Sequence, residues 1–169
     1  MSTESLPLVC KGSNERPTKT EEMRRQAALQ LVAEMSKSGA LTADDDLEEC
    51  ADDIVEATQW GIGDGYEIAR DLENRFHWTC CMQLAKELDQ FGTILGRIYD
   101  AAEDVWAAEN PREPEFASGA IVTWRGKPAT IHGVYEYRPQ RYRVRTDDMT
   151  SPTSYYVVPF EDVSARDVA

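Results

Sequence analysis

Asn110-Pro-Arg-Glu-Pro-Glu-Phe-Ala-Ser-Gly119 divides the chain into two patterns. On its N-terminal side apolar residues recur at three- and four-residue spacings, the period of a helix with one buried stripe. On its C-terminal side they alternate, the period of a strand. Asn110-Pro111 stops a helix, because proline has no backbone N–H and its ring clashes with the preceding turn. Pro111-Arg-Glu-Pro-Glu-Phe116 then reads as a stiff connector. The sequence therefore predicts an α+β protein: a flexible tail over 1–17, an acidic helical bundle of about five helices over 18–110, a linker over 111–118 and a small β-barrel over 119–169.

Working back from the connector, Leu95, Ile98, Ala102, Val105 and Trp106 share the face of a helix that starts after Gly92. A helix over about 79–91 would bury Met82, Leu84, Ala85 and Leu88, and one over about 64–77 would bury Tyr66, Ala69, Leu72 and Phe76. Further upstream, Met23, Ala27, Leu31 and Met35 mark a helix from about Thr18 to Ser38. Thr18 and Glu21 have capping-box spacing there, and Gly39 terminates it. Thr42, with Asp45 three residues on, is a further start signal, followed by the stripe Leu47, Cys50 or Ala51, Ile54 and Thr58. Short connections favour antiparallel neighbours. In the tail, Leu6, Pro7, Leu8 and Val9 could dock on a partner.

The helix after Thr42 carries the most distinctive charge. Asp44, Asp45, Asp46, Glu48, Glu49, Asp52, Asp53 and Glu56 place eight carboxylates within thirteen residues. Like charges at i,i+4 disfavour such a helix on its own, so its apolar stripe must pack while the acids stay outside at fixed spacing. Acids in the first turn also suit the helix dipole, which accounts for some of them but not for eight. The whole chain has a net charge of −13. Residues 1–115 carry −14 of this and residues 116–169 carry +1. A basic partner surface would be drawn to the first part, while the second has no anionic field to repel a phosphate backbone. Solubility alone would also favour an acidic surface.

After the connector, Ala120–Trp124, Lys127–Glu136, Gln140–Thr146 and Ser154–Pro159 are strand candidates rich in Val, Ile, Tyr and Thr. Arg-Gly, Arg-Pro and the polar 147–153 loop separate them. In Arg141-Tyr-Arg-Val-Arg145, alternation puts Arg141, Arg143 and Arg145 on one face. With Arg125, Lys127 and Arg138 these could form a basic ribbon, with Tyr135 and Tyr137 available for stacking, a combination suited to nucleic acid. The same arginines could instead protect a strand edge or pair with acids of the same protein.

Gly119-Ala-Ile-Val-Thr-Trp-Arg-Gly-Lys-Pro-Ala-Thr-Ile-His-Gly-Val134, followed by Arg141-Tyr-Arg-Val144 and Val158-Pro-Phe-Glu-Asp-Val163, resembles small SH3-like barrels of the KOW or Tudor type over roughly the last 50 residues. The whole arrangement is also similar to uncharacterised bacteriophage or mobile-element proteins that join an acidic helical segment to such a barrel. What the resemblance implies is a binding module.

Enzymatic signatures are missing from the sequence. Trp60-Gly-Ile-Gly-Asp-Gly-Tyr66 has neither the glycine spacing of a dinucleotide loop nor the Lys-Ser or Lys-Thr of a P-loop, and reads as a turn. His77 and His132 are the two imidazoles, and no Ser or Cys has a nucleophile setting around it. His77, Cys80 and Cys81, with Cys50, could approach one another. Adjacent cysteines on a helix nevertheless diverge by about 100°, and no spaced Cys-x2-Cys knuckle is present. Cys10, Cys50, Cys80 and Cys81 are a poor disulfide framework, so reduced thiols are expected. No metal or cofactor is implied. With no run of eighteen apolar residues and no leader-like start, the sequence predicts a soluble, cytoplasmic protein without a membrane partner.

The expectation is thus a non-enzymatic inhibitor or adaptor. Its acidic helix, Asp44 to Glu56, would occupy a basic, nucleic-acid-binding surface of another protein, its carboxylates standing in for phosphates. In a phage setting this would be an anti-defence protein, such as an anti-CRISPR or anti-restriction inhibitor. The alternative is a nucleic-acid-binding accessory protein acting through Arg125, Lys127, Arg138, Arg141, Arg143 and Arg145.

Overall fold

A computed structural model describes residues 14–42 and 44–166. The proposed docking residues Leu6 to Val9, and Cys10, lie outside them. The architecture is α+β, with helices followed by a five-stranded antiparallel sheet. Contacts divide the described chain into a helical unit (residues 17–42 and 44–102) and a sheet unit (residues 14–16 and 103–166). The division falls within the last helix rather than at the connector, and it assigns the end of the expected tail to the sheet unit.

The helices are α1 (Glu21–Ser38), α2 (Leu47–Ala57), α3 (Gly65–Phe76), α4 (Met82–Leu88) and α5 (Phe91–Glu109). Four have at least eleven residues, whereas α4 has only seven. Met23, Ala27, Leu31 and Met35 of α1 are buried at the expected four-residue spacing. Two caps differ from the sequence reading. Thr20, not Thr18, accepts the Met23 N–H of α1 at 3.3 Å, and Asp46, not Thr42, caps α2 by accepting from the N–H groups of Glu48 and Glu49. Thr42 and Asp45 do pair, since both the Thr42 N–H and its hydroxyl donate to the Asp45 carboxylate, but they close the turn before the helix. Gly39 ends α1 as expected, in the left-handed conformation at φ 79°. Leu31, Met35, Ile54, Leu72, Leu88, Phe91, Ile94 and Leu95 fill the core of this unit. Tyr66 and Met82, expected in that core, are instead 65% and 69% exposed, because α3 and α4 meet through Ile68, Ala69, Leu72, Leu84, Ala85 and Leu88.

In the sheet unit, β1 (Ile121–Trp124), β2 (Lys127–Val134), β3 (Arg141–Thr146), β4 (Tyr156–Pro159) and β5 (Val163–Ala165) are ordered β4-β3-β2-β1-β5. β5 follows a three-residue 3-10 helix, Phe160–Asp162. A closed barrel was expected, but the sheet is open: β4 and β5 are its two edges and no ladder joins them. It is nonetheless strongly curled. Four strand spacings would separate those edges by about 19 Å in a flat sheet, yet only three residues connect them. The rings of Trp124 on β1 and Tyr156 on β4, three spacings apart, lie 4.7 Å from each other. Val122, Ala129, Ile131, Tyr142, Val144, Val158 and Val163 form the core inside this curve. Phe116, at the end of the connector, donates its N–H to the Tyr142 hydroxyl and packs against that core.

Arg16, read from sequence as part of a flexible tail, is fixed in the sheet unit. Its guanidinium pairs with Glu103 at 2.6 Å and Glu161 at 2.7 Å, donates to the Gln140 carbonyl, and lies over the Trp106 ring. Burial works against ionisation of Glu161, but the bond from Arg16 prevails and holds its carboxyl below the ordinary range.

Candidate functional site

The eight carboxylates around α2 do not form a uniform free surface. Asp46 caps the helix and Asp45 holds the preceding turn. Arg25 of α1 bridges Glu48 and Asp52. Asp53 accepts the Trp78 indole N–H at 2.7 Å, and Arg75 of α3 pairs with Glu56 at 2.7 Å. Asp44 and Glu49 are exposed, with no hydrogen bond or ion pair among the described residues. The helix was expected to need tertiary support against its own charge, and Arg25 and Arg75 supply part of it. These pairs are open to water, however: the Glu48 and Asp52 side chains are 66% and 62% exposed. Exposed ion pairs contribute about 0–1 kcal/mol, so their acids stay available to an incoming arginine. Between α1 and α2 lies an open groove of about 770 Å³ lined by Glu21, Glu22, Arg24, Arg25, Asp52, Val55, Glu56 and Gln59. Trp60, which sequence reading treated only as the start of a turn, stands just beyond α2 with 91% of its surface exposed.

The six basic residues of the expected ribbon have different partners. On β3, Tyr142, Val144 and Thr146 face the core and the three arginines face away, as alternation requires. Arg141 is nevertheless committed to the buried Glu103, and Arg145 donates to the carbonyls of Pro152 at 2.7 Å and Met149 at 3.4 Å, tying down the loop before β4. Arg143 lies with its guanidinium carbon 5.8 Å from the centre of the Tyr155 ring. Arg138 is half-buried in the turn between β2 and β3. Arg125 occupies the two-residue β1–β2 hairpin with Gly126, both at positive φ, and covers the Trp124 ring at 4.9 Å. Arg125 and Lys127 line a recess of about 170 Å³ with Trp124, Thr146, Asp148 and Tyr156. There the Thr146 hydroxyl donates to Asp148 and holds that carboxyl below the ordinary range.

No family model, curated protein or solved structure matches the chain. The aromatic residues are what the sequence reading captured least. Tyr135 and Tyr137 were candidates for stacking, but Tyr155 joins them: Tyr135 is 5.4 Å from Tyr137 and 6.3 Å from Tyr155, ring centre to ring centre. The adjacent pair Tyr155-Tyr156 at the start of a strand was the available signal, since two bulky neighbours on a strand must point to opposite faces.

Among the described residues, no three metal-binding side chains come together, and no helix is long and apolar enough to cross a membrane. His77 is the left-handed C-cap of α3 at φ 60°. Cys50 is buried on α2, Cys80 is half-buried, and Cys81 is exposed at the start of α4. Burial, reinforced by neighbouring acids, pushes the thiols of Cys50 and Cys80 up to about 11. Both should therefore be poor nucleophiles, and iodoacetamide at about pH 8 should label Cys81 well before Cys50 or Cys80. Peptide mass spectrometry over a labelling time course checks this order, and early labelling of Cys50 would contradict it.

Proposed function

We propose that this is a non-enzymatic interaction protein whose acidic helical face binds a basic protein surface as an inhibitor or adaptor. The observation that carries the reading is the display around α2: five carboxylates on the helix and three just before it, opposed by Arg25 and Arg75, with Glu48 and Asp52 still mostly exposed. Carboxylates held at helical spacing offer acceptor oxygens to Arg and Lys groups that otherwise hold phosphates. Exposed Trp60 beyond the helix adds the kind of aromatic anchor that protein interfaces favour. For the sheet unit, the strong curl, the short link between its edges and the Trp124–Tyr156 contact support an SH3-like barrel reading.

The test alters charge without altering the fold. Asp44, Glu48 and Glu49 neither cap α2 through their side chains nor close its preceding turn, so changing them together to Asn, Gln and Gln should leave the melting temperature within a few degrees. A tagged protein purified from its host in the presence of nuclease should retain a basic protein, identified by mass spectrometry. The triple variant should retain it about tenfold less, with a weaker dependence on salt. Unchanged retention and salt dependence would show the acidic face to be merely a solvated surface.

A further inference from the structure

We infer that Arg143 and the surrounding tyrosines form a site for an unpaired nucleotide of single-stranded nucleic acid, the guanidinium taking a phosphate and a tyrosine ring taking the base. The site is independent of the acidic helix. Its first support is what distinguishes Arg143 from its neighbours on β3. Arg141 is used by Glu103 and Arg145 by the carbonyls of the 149–152 loop, whereas Arg143 has no hydrogen bond or ion pair among the described residues. Its Nε is buried without a partner. Such an arrangement leaves guanidinium donors that the protein does not use, and the oxygens of an anionic group such as a phosphate are the acceptors they lack.

The second support is the room made for that guanidinium. Gly133 sits where the β2–β3 register shifts, at φ +126°, and a Cβ there would lie 3.2 Å from a terminal nitrogen of Arg143. The bulge thus keeps space beside the arginine that a side chain would crowd.

The third support is the aromatic surround. Tyr155 carries the guanidinium over its ring, Tyr135 lies between Tyr155 and Tyr137, and Tyr137 is 76% exposed. Exposed rings beside a cation match an unstacked base and its phosphate, whereas a paired duplex hides its base faces. Glu136, between Tyr135 and Tyr137 in the chain, is exposed and is the acid such a ligand must avoid. The net charge of −13 repels nucleic acid at long range, but at about 0.1 M salt that repulsion is screened beyond about 10 Å, and short-range contacts decide.

The experiment is fluorescence anisotropy of the full chain with labelled oligothymidylate and oligouridylate of about ten nucleotides, and with a duplex of equal length, at about 0.1 M salt. Either single strand should bind at least about tenfold more tightly than the duplex. Arg143→Gln and Tyr137→Ala should each weaken single-strand binding about tenfold. Arg143→Gln should also reduce the steepness of its salt dependence by about 0.7 in log–log slope, the loss of one phosphate contact. Tyr137 is so exposed that its replacement leaves the fold intact, which keeps the test valid even if Arg143→Gln destabilises the sheet. Arg125→Gln with Lys127→Gln, at the other end of β1–β2, should change affinity less than twofold. Absence of single-strand binding at about 0.1 mM protein, equal affinity for duplex, or an equal loss from the Arg125 and Lys127 pair would overturn the proposal.

Discussion

Replacing Glu103 by Ala should destabilise the sheet unit by about 3–5 kcal/mol. The Glu103 side chain is 1% exposed and receives both Arg16 and Arg141, whose own side chains are 9% and 13% exposed. Removing the carboxylate leaves the poorly solvated Arg141 without its carboxylate and Arg16 with Glu161 alone, so the loss far exceeds the value of an ordinary surface pair. Hydrogen exchange of the β2 and β3 amides should report it as a loss of protection, with the helical unit less affected. Replacing Arg16, Glu103 and Arg141 together by apolar residues of similar volume should recover most of the stability, because the one carboxylate left without its arginine, Glu161, has a side chain 29% exposed and can be solvated. If Glu103→Ala costs less than about 1 kcal/mol, the three residues are not a buried cluster in solution.

The second large effect concerns the glycine run at 61, 63 and 65. A Cβ on Gly65 would lie 1.9 Å from the Ala85 carbonyl oxygen and 2.5 Å from the Asp89 nitrogen, both backbone atoms, so the start of α3 and the end of α4 would have to separate. The Gly65 N–H also donates to the Asp89 carboxylate at 3.1 Å, and separation would weaken that bond as well. Gly65→Ala should therefore cost about 3 kcal/mol, measured by urea unfolding. At Gly63 a Cβ would lie 2.5 Å from a Glu67 carboxylate oxygen, which can swing away, but also 2.8 Å from the Glu67 Cβ, which is fixed to α3, and at Gly61 nothing lies within 4 Å. Ala at 63 should therefore have an intermediate effect, smaller than Ala at 65 because no backbone atom is in the way, and Ala at 61 almost none. Equal effects at all three positions would mean that chain flexibility, rather than the α3–α4 approach, explains the run.

That run was legible from sequence as a turn and as a poor phosphate loop, but the particular demand at Gly65 was not. The demand comes from atoms twenty or more residues away. The acidic helix shows the same limit. Its apolar stripe at Ile54 and Cys50 could be read from spacing, and both are buried. The partners of its acids could not, since Arg25, Arg75 and Trp78 reach it from other segments. Likewise, alternation placed the three arginines of β3 on one face, but it could not foresee that Glu103 and the loop carbonyls would claim two of them.

By itself the sequence determined what depends on neighbouring residues: helical and alternating apolar periods, the stop at Asn110-Pro111, the Gly39 cap and the strands through β4. These follow from backbone geometry that repeats every few residues. Tertiary structure decided which of two nearby threonines or aspartates became a cap, the exposure of Tyr66 and Met82, the addition of β5, and the open, curled sheet. It also decided which charges remain for a partner. A side chain's charge is written in the chain, but its free energy depends on water access and on the groups within a few ångströms, and only folding brings those together.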